Sequence, residues 1–68
     1  MERITVYKLR WTKKATGETG IAQEFNGEGF TDMIYAHREY AEQMARHFER
    51  TSRNTETYKV IACEAVKV

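Results

Sequence analysis

The stretch that decides the fold is residues 3–13, which read RITVYKLRWTK. Two sets of side chains alternate along it. The odd-numbered set is Thr5, Tyr7, Leu9 and Trp11, and the even-numbered set is Ile4, Val6, Lys8 and Arg10. This period of two, in a stretch rich in β-branched and aromatic residues, predicts a β-strand. Both sides of the strand carry apolar residues.

The flanking sequence predicts two further strands. Residues 16–20 (TGETG) supply two glycines that can take positive φ, so they indicate a hairpin turn. A second strand follows at residues 21–25, with Ile21, Gln23 and Phe25 on one face, and residues 26–29 (NGEG) end it. A polar loop at residues 51–56 precedes a last strand at residues 57–66, which contains the apolar run VIAC.

Between these strands the period changes to that of a helix. Apolar or aromatic side chains recur at steps of three and four at Met33, His37, Tyr40, Ala41, Met44, Ala45 and Phe48. Thr31 or Asp32 is the expected N-cap, and the helix is expected to end near Arg50. The order β-β-α-β predicts an α+β fold, in which one helix packs on one face of a three-stranded antiparallel sheet.

Length and composition restrict the class of protein. The 68 residues form one domain, residues 1–68, and 11 basic against 10 acidic side chains leave a net charge of +1. That charge gives no strong field toward nucleic acid or an anionic membrane. The single Cys63 excludes an intramolecular disulfide. With no signal peptide and no stretch of ~20 apolar residues, a cytoplasmic, non-membrane protein is expected.

The sequence indicates no catalytic chemistry. His37 and His47 do not have the spacing of a helical metal pair, and His37 is expected to pack at the edge of the apolar stripe. Cys63, inside the most apolar run, is expected to be an inert core thiol. We therefore assign no catalytic, cofactor-binding or metal-ligating residue, and we expect neither a cofactor nor a small-molecule substrate.

The two-sided apolar character of the first strand suggests a binding surface. One helix covers one face of a sheet, so Ile4 and Val6 would face either solvent or a partner. A chain of this size buries only ~60% of its unfolded surface, and association is a common remedy. A homodimer or a protein partner is therefore expected, with the alternative that Tyr7 and Trp11 are core residues while Ile4 and Val6 are simply exposed.

A basic group on the same strand suggests a second kind of partner. Lys8, Arg10, Lys13 and Lys14 surround Trp11 with no acidic residue between positions 8 and 14. Basic side chains around an aromatic ring could bind single-stranded nucleic acid by stacking and phosphate contacts. The alternative is that they are solvated charges that protect the strand from edge pairing. The candidate partner-binding set is thus Ile4, Val6, Lys8, Arg10, Trp11, Lys13 and Lys14.

Residues 30–36 (FTDMIYA), then Ala41, Ala45 and a closing strand with Val60, resemble small phage-encoded inhibitor proteins such as those that block bacterial RNA polymerase. That resemblance implies a strand at residues 30–36, in place of the first helical turn. It also implies a non-enzymatic inhibitor of a host nucleic-acid enzyme or defence complex, of the anti-CRISPR kind, acting in the host cytoplasm. The alternative is a small nucleic-acid-binding or transcription-regulating protein that uses the basic group.

Overall fold

The computed structural model describes residues 2–67 and has an α+β fold built on one central strand. Its elements are β1 (Glu2–Lys13), β2 (Thr19–Ile21), β3 (Gln23–Phe25), β4 (Phe30–Asp32), α1 (Arg38–Thr51) and β5 (Glu56–Lys67). The main sheet has the order β2-β1-β5, and all its pairings are antiparallel. The predicted three-stranded antiparallel sheet with one helix packed against it is therefore confirmed.

The two long strands, β1 and β5, form the centre and one edge of the main sheet. β1 and β5 pair along their whole lengths, from Glu2 opposite Lys67 to Lys13 opposite Glu56. β1 turns into β2 through a tight loop, in which Lys13 and Glu18 are joined by a backbone hydrogen bond of 2.8 Å. Gly17 in this loop has φ of 76°, a conformation that glycine adopts without strain. The predicted hairpin between the first two strands is present, with a shorter second strand.

On the side of β1 away from β5, the chain after β2 leaves the sheet as a small hairpin. The predicted continuous strand at residues 21–25 is therefore wrong. Ala22 donates its N–H to the carbonyl of Leu9 at 2.8 Å, and the chain then leaves the sheet as β3 and β4. It returns at Tyr35, which exchanges two backbone hydrogen bonds of 2.8 Å with Tyr7. The β3–β4 hairpin is thus an insertion in the edge of the sheet.

The helix begins later than its periodicity predicts. Residues 30–32 are β4, Met33 donates its N–H to the Ala22 carbonyl at 3.0 Å, and α1 starts at Arg38 with His37 as N-cap. Neither Thr31 nor Asp32 is a cap, because the backbone around both residues is already paired with β3. Met33 fits the helical stripe only by spacing. The helix ends at Thr51, one residue after the predicted end.

The core lies between α1 and the odd-numbered side chains of β1. Leu9 is completely buried, and it packs with Ala22, Ala41 and Ala45. The two helical alanines allow the helix to lie close to the sheet, because their side chains take little space. A ring of partly buried side chains surrounds this centre: Tyr7, Trp11, Met33, Tyr35, Met44, Phe48, Tyr58 and Val60. Trp11 and Tyr7 therefore pack against the core, as the alternative interpretation expected, but Val6, which that interpretation left exposed, is buried.

Candidate functional site: the uncovered sheet face

We call the face of the main sheet opposite α1 the open face. Part of this face is an apolar strip. Ile4 lies opposite Ala65 and Val6 lies opposite Cys63 on the two long strands, and Ile61 is the next residue on that face of β5. Ile4 is 39% exposed, and Ile61, Cys63 and Ala65 are partly exposed. Since strand side chains alternate, all of these point away from the helix.

Ile34 extends the apolar surface toward the edge of the sheet away from β5. It lies between Met33 and Tyr35, which both pack against the core, and the Tyr35 hydroxyl donates to the Met33 sulfur at 3.4 Å. Ile34 itself turns outward and is 59% exposed. Val6, by contrast, is only 8% exposed, so it supports the strip from within the sheet and is not available as a contact.

An ion pair borders the strip on the side of the inserted hairpin. The Lys8 ammonium donates to the Asp32 carboxylate at 2.9 Å, and the Gln23 amide donates to the other carboxylate oxygen at 3.0 Å. The bonds from Gln23 and Lys8 hold the pKa of Asp32 below its ordinary value. The same hydrogen bond to Asp32 raises the pKa of Lys8. Lys8 therefore ties the hairpin to the sheet.

Two further basic residues stand beside each other at the next position of the open face. Arg10 lies directly opposite Lys59, and both are exposed. In the part of the chain that the structure describes, neither side chain makes an ion pair. Like charges at directly opposite positions repel one another, so this pair concentrates positive charge at one end of the open face.

The structure divides the basic group that the sequence singled out. Trp11 points to the helix side, where its ring covers Gly20, and the Lys13 ammonium lies 5.8 Å from the Trp11 ring centre. Lys13 also pairs with Glu18 at 3.1 Å. Lys14 is exposed in the turn after β1. Of the seven candidate residues, only Ile4, Val6, Lys8 and Arg10 share the open face, because alternation separates them from Trp11 and Lys13.

Two single-residue expectations are wrong. His37 is exposed at the start of the helix and does not pack at a buried edge, because the helix begins only after it. Cys63 is not a core thiol: the helix covers the even-numbered side chains of β5, which leaves Cys63 partly exposed on the open face. The run of residues 60–63 is apolar because it contributes to both faces.

The structure also shows an aromatic pair that the sequence analysis did not select. Phe25 and Phe30 end β3 and β4, where they are 65% and 68% exposed, with ring centroids 5.4 Å apart. Asn26 fixes the turn between them, because its side-chain oxygen accepts the N–H groups of Glu28 and Gly29 at 3.0 and 3.1 Å. Recognising residues 26–29 as a hairpin loop would have placed these phenylalanines together.

A shallow groove of about 400 Å³ runs along the free edge of β5. Residues of the helix line one wall, and Tyr58, Lys59 and Val60 line the other. The Glu49 carboxylate crosses this groove and accepts the backbone N–H of Tyr58 at 3.1 Å. The walls are mostly polar or charged, and the groove is open along one side.

Among residues 2–67, no three metal-ligating side chains converge, and no helix has the length and apolar character needed to cross a membrane. The chain matches no protein-family model, no curated protein and no solved structure.

Proposed function

We propose that this protein is a non-enzymatic protein-binding module that docks through its open face. The observation that carries the proposal is the apolar strip of Ile4, Ile61, Cys63 and Ala65, with the exposed Ile34 nearby. A sheet with only one face packed against its own core normally presents polar side chains on the other. Here apolar side chains remain there, and burying them against a partner would gain about 25 cal/mol for each Å² removed from water.

The charges around the strip indicate the chemistry that the partner's surface would have. Arg10 and Lys59 lie next to it without acidic neighbours in register, so the matching surface would be apolar with an acidic rim. In its specific form the proposal is that binding occludes a host nucleic-acid enzyme or defence complex, as small phage-encoded inhibitors do. Only the sequence resemblance supports that specific form.

The test is capture from a lysate of the native host with matched variants. Ile4→Asp places a charge on the strip, whereas Phe30→Asp places the same charge on the exposed hairpin tip. Both variants should retain the far-ultraviolet circular dichroism of the unmodified chain. A partner that acts through the open face should be retained by the unmodified chain and by Phe30→Asp, and its retention should fall at least tenfold with Ile4→Asp (about 1.4 kcal/mol).

The opposite pattern would move the site to Phe25 and Phe30. Equal retention by both variants would refute docking through the strip. Cross-linking of the retained protein to the open face, located by mass spectrometry, identifies the contact directly.

Arg10 and Lys59, two adjacent basic side chains without an ion pair among the described residues, support a second candidate function, which is binding of single-stranded nucleic acid. In that case oligonucleotide affinity should fall steeply with salt, and Arg10→Glu should weaken it uniformly across sequences. Absence of binding to a labelled oligonucleotide at low salt would reject this candidate and leave the protein-binding proposal unaffected.

A further inference from the structure

β5 has no neighbouring strand on its outer edge in the described sheet, although the Glu49 carboxylate accepts the Tyr58 N–H there. It is the outermost strand in the order β2-β1-β5, and it spans twelve residues. Such an edge presents unpaired backbone groups that readily pair with another strand. We propose that two copies of this protein form a symmetric dimer by antiparallel pairing of their β5 edges, with Ala62 on the twofold axis.

The ladder with β1 determines which residues of β5 point outward. Lys14 donates its N–H to the carbonyl of Thr55 at 3.0 Å, which continues the register that places Lys13 opposite Glu56. Alternate residues of an antiparallel strand bond to the same neighbour, so odd-numbered residues of β5 bond to β1. Even-numbered residues turn their N–H and C=O groups outward. The Glu49 bond to the N–H of Tyr58 agrees, because the helix reaches that amide from outside the sheet.

The helix lies beside only the first half of β5. Arg38, its first residue, has its guanidinium 5.5 Å from the ring centre of Tyr7, which lies opposite Ala62. Glu49, near the other end of the helix, reaches Tyr58. The part of β5 after Ala62 therefore projects beyond α1, and Val66 there is 50% exposed.

The projecting half of one copy fits beside the helix of the other. With Ala62 opposite Ala62, antiparallel pairing brings Glu64 opposite Val60 of the second copy and Val66 opposite its Tyr58. These four residues are all even-numbered, so each pair can exchange backbone hydrogen bonds. The N–H of Tyr58 would then change its acceptor from Glu49 to the carbonyl of Val66.

The groove supplies side chains that match this arrangement. Its helical wall consists of Arg38, Glu42, Ala45, Arg46 and Glu49. An incoming Glu64 beside Val60 would approach Arg46, which makes no ion pair among the described residues, whereas Arg38 is already paired with Glu42 at 3.8 Å. An incoming Val66 would meet the ring of Tyr58. The groove and the projecting strand of the same chain are thus complementary, as a twofold interface requires.

Sterics and charge together select the axis at Ala62. A twofold axis perpendicular to the sheet keeps both helices on one face, and helices need about 8–10 Å between axes whereas strands lie only about 4.8 Å apart. An axis at Ile61 or earlier makes the helices overlap, because α1 reaches the level of Ala62. An axis at Glu64 puts two carboxylates opposite each other. With the axis at Cys63, Val66 stops opposite Val60, short of Tyr58, and leaves the groove partly unfilled.

The dimer would be one six-stranded sheet with both open faces on the same side. It would double the surface that the proposed function uses, but it does not rest on that function, because Ile4 lies on β1 and away from the β5 edge.

Cysteine cross-linking tests the register. In a Cys63→Ser background, Ala62→Cys should give an oxidised dimer of twice 8.0 kDa, since opposite residues of a hydrogen-bonded pair have Cα atoms about 5.5 Å apart. Ile61→Cys in the same background is the control, because Ile61 would face position 63 and not itself. Equal cross-linking of both variants, or preferential cross-linking at position 61, would overturn the axis at Ala62.

Solution mass and hydrogen exchange test the dimer itself. The unmodified chain should scatter light as a dimer at micromolar concentration, Ala62→Asp should scatter as a monomer, and the same change in the exposed turn, Ala15→Asp, should remain a dimer. Should Ala62→Asp not fold, the unmodified chain still decides: exchange of the Ala62 and Glu64 amides should slow at least tenfold as concentration rises. A monomer with unprotected amides at every concentration would overturn the proposal.

Discussion

Trp11 lies against the backbone of Gly20 on the neighbouring strand, and this contact leaves no room for a side chain at position 20. The two residues are directly opposite in the ladder. A Cβ atom at Gly20 would lie 2.6 Å from Cζ2 and 2.9 Å from Cε2 of the indole ring. The need for glycine here comes from the ring, because the φ of Gly20 is not in the left-handed region.

We predict that Gly20→Ala lowers the free energy of unfolding by about 1–3 kcal/mol, because the Trp11 ring must move within a packed layer. Gly29→Ala is the matched control, since a Cβ there has no neighbour within 4 Å and φ is not positive. Urea unfolding followed by tryptophan fluorescence measures both. Equal stability of the two variants would contradict the contact.

The carboxylate of Asp32 makes stability depend on pH. Its pKa is below the ordinary value of 3.8 in the folded chain, so its contribution is present above that value and is lost as the pH falls through the folded-state pKa. Lys8 has a raised pKa, so its contribution persists up to about pH 10.5 and is lost as the pH rises further. We predict that Asp32→Asn flattens the decline in stability below about pH 4. An unchanged acid profile in urea midpoints would refute this.

At the scale of elements, the β3–β4 hairpin is attached through few interactions. Its base is held by the bond between Met33 and Ala22 and by the Lys8–Asp32 pair, whereas its tip is exposed. It contributes little to the core, so it should open without unfolding of the sheet. The same independence leaves Phe25 and Phe30 free to contact another molecule.

Asn26→Ala should loosen this hairpin alone. The change removes the acceptor of two backbone N–H groups, worth about 1 kcal/mol, and amides between Phe25 and Phe30 should exchange faster. The amide of Leu9 should exchange as before. Thr16→Ala is the control, because its hydroxyl accepts only the Glu18 N–H in the other turn. Faster exchange throughout the sheet would show that the hairpin is part of the cooperative core.

At the scale of the whole molecule, the small core explains why the surfaces matter. Leu9 is the only large side chain that is fully buried among the described residues, and its buried partners are alanines. A single helix stabilises one face of a three-stranded sheet, and the long strands extend past it. The open face and the β5 edge are the two surfaces that this arrangement leaves incomplete, and association at either would stabilise the folded chain by mass action.

The sequence by itself determined the elements whose patterns are local. The alternation of residues 3–13 predicts β1, and the apolar run after position 57 predicts β5. The alanine-marked stripe predicts the helix, although with a start at Thr31 or Asp32 in place of Arg38. It also predicts that Ile4 and Val6 share a face, because alternation is a property of any strand. The separation of Trp11 from Lys8 and Arg10 follows from the same rule.

Only the tertiary structure decided the rest. Met33 has helical spacing with the stripe that follows it, yet hydrogen bonds to β3, to Ala22 and to Tyr7 hold residues 30–35 extended. The face that the helix covers is likewise a tertiary choice, which buries Leu9 and leaves Cys63 at the surface. Periodicity indicates which side chains of one segment share a face. Which residues hydrogen-bond to its backbone, and which element packs on each face, depend on residues distant in the chain.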